Sequence, residues 1–151
     1  METDANFFLV EVDLLNSFPP TEYGHKPVWV DKETLFKESD IITLHVALNN
    51  DTRDFVSAKE INLMKKSAII VNAARGPVIN TNDIAEALKS GRIAGAAIDV
   101  YDTEYPLSEN NPLLSAPNTM LLPHIGFATE EAFELRLGIV VRNVENYLSN
   151  R

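Results

Sequence analysis

The 151-residue sequence predicts an α/β fold on a parallel, doubly wound sheet. Three observations carry that prediction. Short, nearly continuous apolar runs recur along the chain, each bounded by turn-forming residues. Helical stretches with their own start and stop signals separate them. The length, with 45% hydrophobic residues, suffices for one domain with a real core.

The elements follow in order. Residues 7–12, "FFLVEV", read as a strand, and "LLNSFPPTEYGHKP" as a loop punctuated by Pro and Gly. "VWV" (28–30) is a short strand. "DKETLFKES" is a short helix with Asp31 as its N-cap. "DIITLHV" (40–46) is read as buried because its apolar residues are nearly continuous. A loop, "LNNDTRDFV", leads to the helix "SAKEINLMKK", capped by Ser57, and then to the buried strand "AIIVN". "NTNDIAEALKSGRI" is a helix capped by Thr81 or Asn82, with Ile84, Ala85 and Leu88 on one face and Gly91 as its left-handed stop. "AGAAIDV" (94–100) is a strand whose small residues admit a close helix. A long loop with several prolines, 101–118, precedes the last strand, "TMLLP" (119–123). The closing helix, "ATEEAFELRLGIVVRNVENYLS", is capped by Thr129. Phe133, Leu137, Val140, Val144 and Leu148 form one apolar stripe along it.

Composition excludes several functions. The chain has no Cys, hence no disulfide framework, no thiolate chemistry and no Cys-based metal centre; no metal site is read from it. Its formal net charge of -9 argues against a nucleic-acid backbone as partner. No run approaches a membrane span, and "METDANFFLVEVD" lacks the features of a secretory signal, so a cytoplasmic protein is expected.

In a parallel sheet, ligands bind outside the carboxyl ends of the strands. Asp13, His45, Arg75, Asp99, Glu104 and His124 all fall at or just after such ends. A guanidinium holds a carboxylate through paired hydrogen bonds. An imidazole moves a proton near neutral pH, and a carboxylate fixes its tautomer. Each residue also has a plainer reading as a surface ion pair, a solvated imidazole or a turn cap, and spacing alone does not choose.

"MKKSAIIVNAARGPVIN" closely resembles the arginine-bearing signature of the D-isomer-specific 2-hydroxyacid dehydrogenases. "LFKESDIITLHVALNNDTRDFVS", "GAAIDVYDTE" and "NPLLSAPNTMLLPHIGFAT" resemble that family's other signatures, in family order, over residues 35–129. The resemblance implies a Rossmann-like NAD-binding domain acting with a small 2-hydroxy or 2-keto acid. It makes Arg75 the residue for the substrate carboxylate and carbonyl, His124 the acid/base, and Glu104 its hydrogen-bond partner. It makes Asp13 the ligand of the adenosine ribose. Val46, Ala73, Ala74, Arg75, Asp99, His124 and Gly126 become positions lining NAD, with Ala73 and Ala74 making room for it.

The sequence departs from the family in several places. Ala47 stands where Pro is usual, which should loosen that loop. Glu104-Tyr105-Pro106 splits the usual Glu-Pro, and Asn80 replaces an acidic residue. No GxGxxG occurs, so the expected unit is a partial NAD-binding domain over 1–151, without the first strand, pyrophosphate turn and first helix, and without a substrate domain. Such a chain is expected to bind NAD weakly or not at all, to lack turnover by itself, and to form homo-oligomers, as a dimer. The alternative is a non-catalytic remnant, or a binding or dimerisation module, a use for which the family's corepressor branch is a precedent.

Overall fold

The computed structural model describes residues 8–9, 28–104 and 106–150. Four strands, β3 (Ile41–Leu44), β4 (Ile69–Asn72), β5 (Gly95–Ile98) and β6 (Thr119–Leu121), form one sheet in the order β3-β4-β5-β6, every pair parallel. Register is continuous across it: Leu44 lies beside Asn72, Asn72 beside Ile98 and Ile98 beside Leu121. Two earlier strands, β1 (Phe8–Leu9) and β2 (Val28–Trp29), pair in parallel with each other in a separate two-stranded sheet. The parallel, Rossmann-like α/β arrangement is the one the alternation of runs predicts.

Helix α1 (Lys32–Glu38) starts at Asp31, whose carboxylate accepts from the Thr34 N–H (2.9 Å) and hydroxyl (2.8 Å). It ends at Ser39 and buries Leu35 and Phe36. Helix α2 is shorter than the sequence suggests, only Ala58–Ile61. After Ile61 the backbone tightens to bonds three residues back, Leu63 to Glu60 and Met64 to Ile61, which ends the α-helix. Helix α3 (Thr81–Lys89) is capped one residue earlier than expected. The Asn80 side-chain oxygen accepts from the Asp83 N–H (3.2 Å), because Asn80 is extended and stands three residues before that donor. Gly91 has φ +67, the left-handed stop. Inside the long loop sits one 3₁₀ turn, Pro112–Ser115, which buries Leu113.

The sheet is covered on one face. Ile42, Leu44, Ile70, Ala96 and Ile98 pack with Leu35, Phe36, Ile61, Ile84, Leu88 and Leu113 in a single core. The opposite face carries Ile41 (63% exposed), Ile69 and Met120. Expected burial of the strand at 40–46 therefore holds for alternate residues only. Topology supplies the reason. Strand order advances in one direction, and right-handed crossovers taken in one direction all fall on the same side. Nearly continuous apolar runs are the signature of strands meant for cover on both sides, and no described element covers the second.

Helix α4 (Glu130–Ser149) is capped by Thr129, which accepts from the Ala132 N–H (3.2 Å). It buries none of its residues. The stripe read from the sequence is present but bare: Phe133, Leu137, Val140, Val144 and Leu148 are all exposed. No described helix is long and apolar enough to cross a membrane.

Candidate active site

Arg75 follows β4, on a turn that the strand's last residue builds. Asn72 is buried, and its amide accepts from the Ala74 N–H (3.1 Å) and donates to the Arg75 carbonyl (3.0 Å). The Ala74 N–H has its acceptor there, and the Arg75 carbonyl also accepts from the Val78 N–H (3.2 Å). The sequence reading passed over Asn72; the signal was an amide closing an otherwise apolar strand. A 3₁₀ turn, Gly76–Val78, comes next. A Cβ on Gly76 would stand 2.1 Å from the Tyr101 carbonyl carbon, so only glycine allows the arginine turn to lie against the loop after β5. Thr81 adds a second tie, donating its hydroxyl to Asp102 (2.9 Å).

Arg75 is exposed and donates to the Ala74 carbonyl (2.6 Å). With His45, Val46, Ala47, Leu48, Ala73 and Ala74 it lines an open cavity of about 510 Å³. His45 Nε2 lies 2.9 Å from the Thr43 hydroxyl. The loop beyond it is tied by Thr52, whose hydroxyl donates to the Ala47 carbonyl (2.6 Å).

The loop after β6 carries His124, whose Nδ1 lies 2.8 Å from Glu104 Oε2; both side chains are about two-thirds buried. With Nδ1–H donating to the carboxylate, Nε2 is left for a ligand. Phe127 meets the imidazole edge-on at 6.3 Å between ring centres. It also meets Phe133 edge-on, with the Arg136 guanidinium 4.6 Å from its ring centre.

Asp99 lies just past β5 and is buried. It accepts from the Ile125 N–H (2.8 Å) and the Gly126 N–H (2.7 Å). A Cβ on Gly126 would stand 2.8 Å from Asp99 Oδ2 and 3.8 Å from Ala73 Cβ. The His124 loop thus abuts the segment that carries Arg75. Tyr101 donates its hydroxyl to the Leu122 carbonyl (3.0 Å). Burial first, and the Asp99 carboxylate second, push its phenol above the ordinary value and keep that donor protonated.

The structure therefore gathers Arg75, Asp99, Glu104, His124, Ala73, Ala74, Val46 and Gly126 past the carboxyl ends of the parallel strands. Asp13 lies outside the described residues, as does Tyr105. Ala73, small and exposed on the cavity, leaves room of the kind a flat nicotinamide ring needs, whereas Ala74 is buried and the space beside Gly126 is taken by Asp99 Oδ2. No glycine-rich turn for a pyrophosphate occurs in the sequence.

Comparison with known proteins agrees with this fold. The family described as D-isomer specific 2-hydroxyacid dehydrogenase, NAD binding domain, matches residues 3–126. A glyoxylate reductase of Thermococcus litoralis is 47% identical over 116 residues, which make up 77% of this chain and 34% of that protein. A D-3-phosphoglycerate dehydrogenase of Methanocaldococcus jannaschii is 45% identical over 118 residues, 78% of this chain and 22% of its own length. Among solved structures, a D-lactate dehydrogenase from Sporolactobacillus superposes with a TM-score of 0.76 at 34% identity, covering 81% of this chain and 40% of that one. An NAD-complexed D-isomer specific 2-hydroxyacid dehydrogenase from Lactobacillus delbrueckii superposes at 0.74, with 29% identity, over 82% and 42%. The chain spans about a third of the length of the glyoxylate reductase. Fold and matched span agree, and the chain belongs to the D-isomer specific 2-hydroxyacid dehydrogenases, within their NAD-binding domain.

Proposed function

We propose that this chain carries the acid/base and carboxylate-binding half of an NAD-dependent D-2-hydroxyacid dehydrogenase. The observation that carries the reading is the 2.8 Å contact between His124 Nδ1 and Glu104, on a loop that abuts the Arg75 segment. Arg75 pairs its guanidinium with the carboxylate of a small 2-hydroxy or 2-keto acid and fixes the direction in which the substrate lies. His124 Nε2 takes the hydroxyl proton during oxidation and returns it to the carbonyl oxygen during reduction. Glu104 holds Nδ1–H, so that Nε2 always faces the substrate and the charged imidazole is stabilised when it forms. Val46, Ala73, Ala74, Asp99 and Gly126 border the nicotinamide, and Asp13 takes the adenosine ribose. When bound, NAD supplies the hydride acceptor. The setting is cytoplasmic, and the working unit is a homo-oligomer, a dimer.

By itself the 151-residue chain is expected to show no turnover, and to bind NAD weakly or not at all, because it holds no pyrophosphate turn. NADH fluorescence titration of the purified chain, with a 2-keto acid reduction assay, tests both points. Reduction at a rate abolished by His124→Ala would overturn the inactivity and sustain the roles. A second reading, a non-catalytic binding or dimerisation module, is favoured by the bare stripe on α4. An in-frame GxGxxG encoded upstream of Met1 would decide for the enzyme.

A further inference from the structure

We propose that Asp99 is the positioning residue of this site, holding His124 in the backbone conformation from which its imidazole reaches Glu104. The proposal rests on the reading of His124 as the proton-transfer group.

His124 has φ +57, in the left-handed region that side chains other than glycine rarely occupy. Such a conformation persists only when its surroundings over-determine it. Here both flanks are held. On one side Leu122 donates its N–H to the Ile98 carbonyl (2.9 Å) and accepts from Tyr101 (3.0 Å). On the other, the two oxygens of Asp99 take the N–H groups of Ile125 and Gly126, at 2.8 and 2.7 Å. Only Pro123 and His124 span the gap. The left-handed turn at His124 points two successive N–H groups to one side, which is the arrangement that cradles an anion. A buried carboxylate accepting charge-assisted bonds from both is a strong anchor.

Gly126 completes the device, since any Cβ there would collide with the carboxylate oxygen at 2.8 Å. Asp99 therefore acts on the reaction through the loop. Without it, His124 is free to return to the ordinary negative-φ region, and the ring swings away from Glu104.

Nuclear magnetic resonance of the 151-residue chain tests this without cofactor or turnover. In the unmodified chain, hydrogen-bond couplings should connect the Ile125 and Gly126 amides to the Asp99 carboxyl carbon, and their absence would overturn the proposal. In Asp99→Asn, which keeps the volume, exchange of those two amides should rise about tenfold while the Ile70 and Ile98 amides stay unchanged. The expected signature of positioning is that the His124 Nδ1–H signal is lost to water and the His124 HN–Hα coupling moves to that of an extended residue. Retention of both His124 signals with faster Ile125 and Gly126 exchange would make Asp99 merely structural. Should Asp99→Asn unfold the sheet, Gly126→Ala separates loop from carboxylate while keeping the charge. It should erase the same His124 signals, and their survival would overturn the idea. A failed reduction assay in a longer enzyme would instead count against the hydride-transfer reading and leave the anchor standing.

Discussion

Asn72 and Gly76 show how single residues hold the arginine turn in place, and Glu60 how one ties α2 to the start of α1. Asn72→Ala takes the acceptor from the Ala74 N–H and one of two donors from the Arg75 carbonyl, which keeps the Val78 N–H (3.2 Å), and should cost about 1–3 kcal/mol. A lower denaturant midpoint with an unchanged slope is the expected result. Gly76→Ala drives a Cβ into the Tyr101 backbone, so the arginine turn and the loop before Glu104 must part; a loss of about 1–3 kcal/mol follows. In an enzyme carrying this segment at full length, Glu104→Gln and His124→Ala should each lower turnover, the histidine change by about 10²–10⁴-fold. Equal activity in the histidine variant would refute the assignment. Glu60 sets a pH dependence. Burial pushes its carboxyl up, but the Ser57 hydroxyl, Lys32 and the Ser57 N–H outweigh it and hold the group at about 2. Because the folded value lies below the ordinary 4.5, the contribution is complete above about pH 4.5 and is lost as pH falls toward 2. Solvent screening of half-exposed Lys32 leaves roughly 2 kcal/mol. Thermal melts of Glu60→Gln should be flatter with pH across that window, and parallel curves would count against the assignment.

At the scale of elements, the caps and stops were the most readable features. Asp31, Thr129 and Gly91 do what their positions imply, since each depends on local geometry alone. Asn80→Ala should cost about 1 kcal/mol by melting the start of α3, where the Asp83 N–H loses its acceptor. The strand ends were readable too, because a charge or an imidazole closing an apolar run is a local signal, and Arg75, Asp99 and His124 stand there. What was hidden depends on partners distant in sequence. Nothing local announces that Gly76 meets Tyr101 twenty-five residues on, or that Asp99 reaches Ile125 and Gly126. Cover for an apolar face is equally non-local. The stripe on α4 was legible as a stripe, but not as a bare one. Its exposure predicts self-association. Sedimentation should show species above the monomer that shift toward monomer in Leu137→Asp/Val144→Asp, and a monomer at every concentration would remove the expectation.

For the molecule as a whole, the sheet order β3-β4-β5-β6 decides more than which face is covered. Among the described strands β4 and β5 are flanked on both sides, whereas β6 has one neighbour and three residues. Native-state hydrogen exchange should therefore find the amides of β4 and β5 opening only with global unfolding, and those of β6 opening at lower cost. Uniform protection across the four strands would contradict this. Arg75 is borne by an interior strand and His124 by a marginal one. The segments that carry the two residues are therefore expected to open as different cooperative units, the one after β6 in local excursions while the one after β4 stays folded, so that the lifetime of their juxtaposition follows the weaker unit.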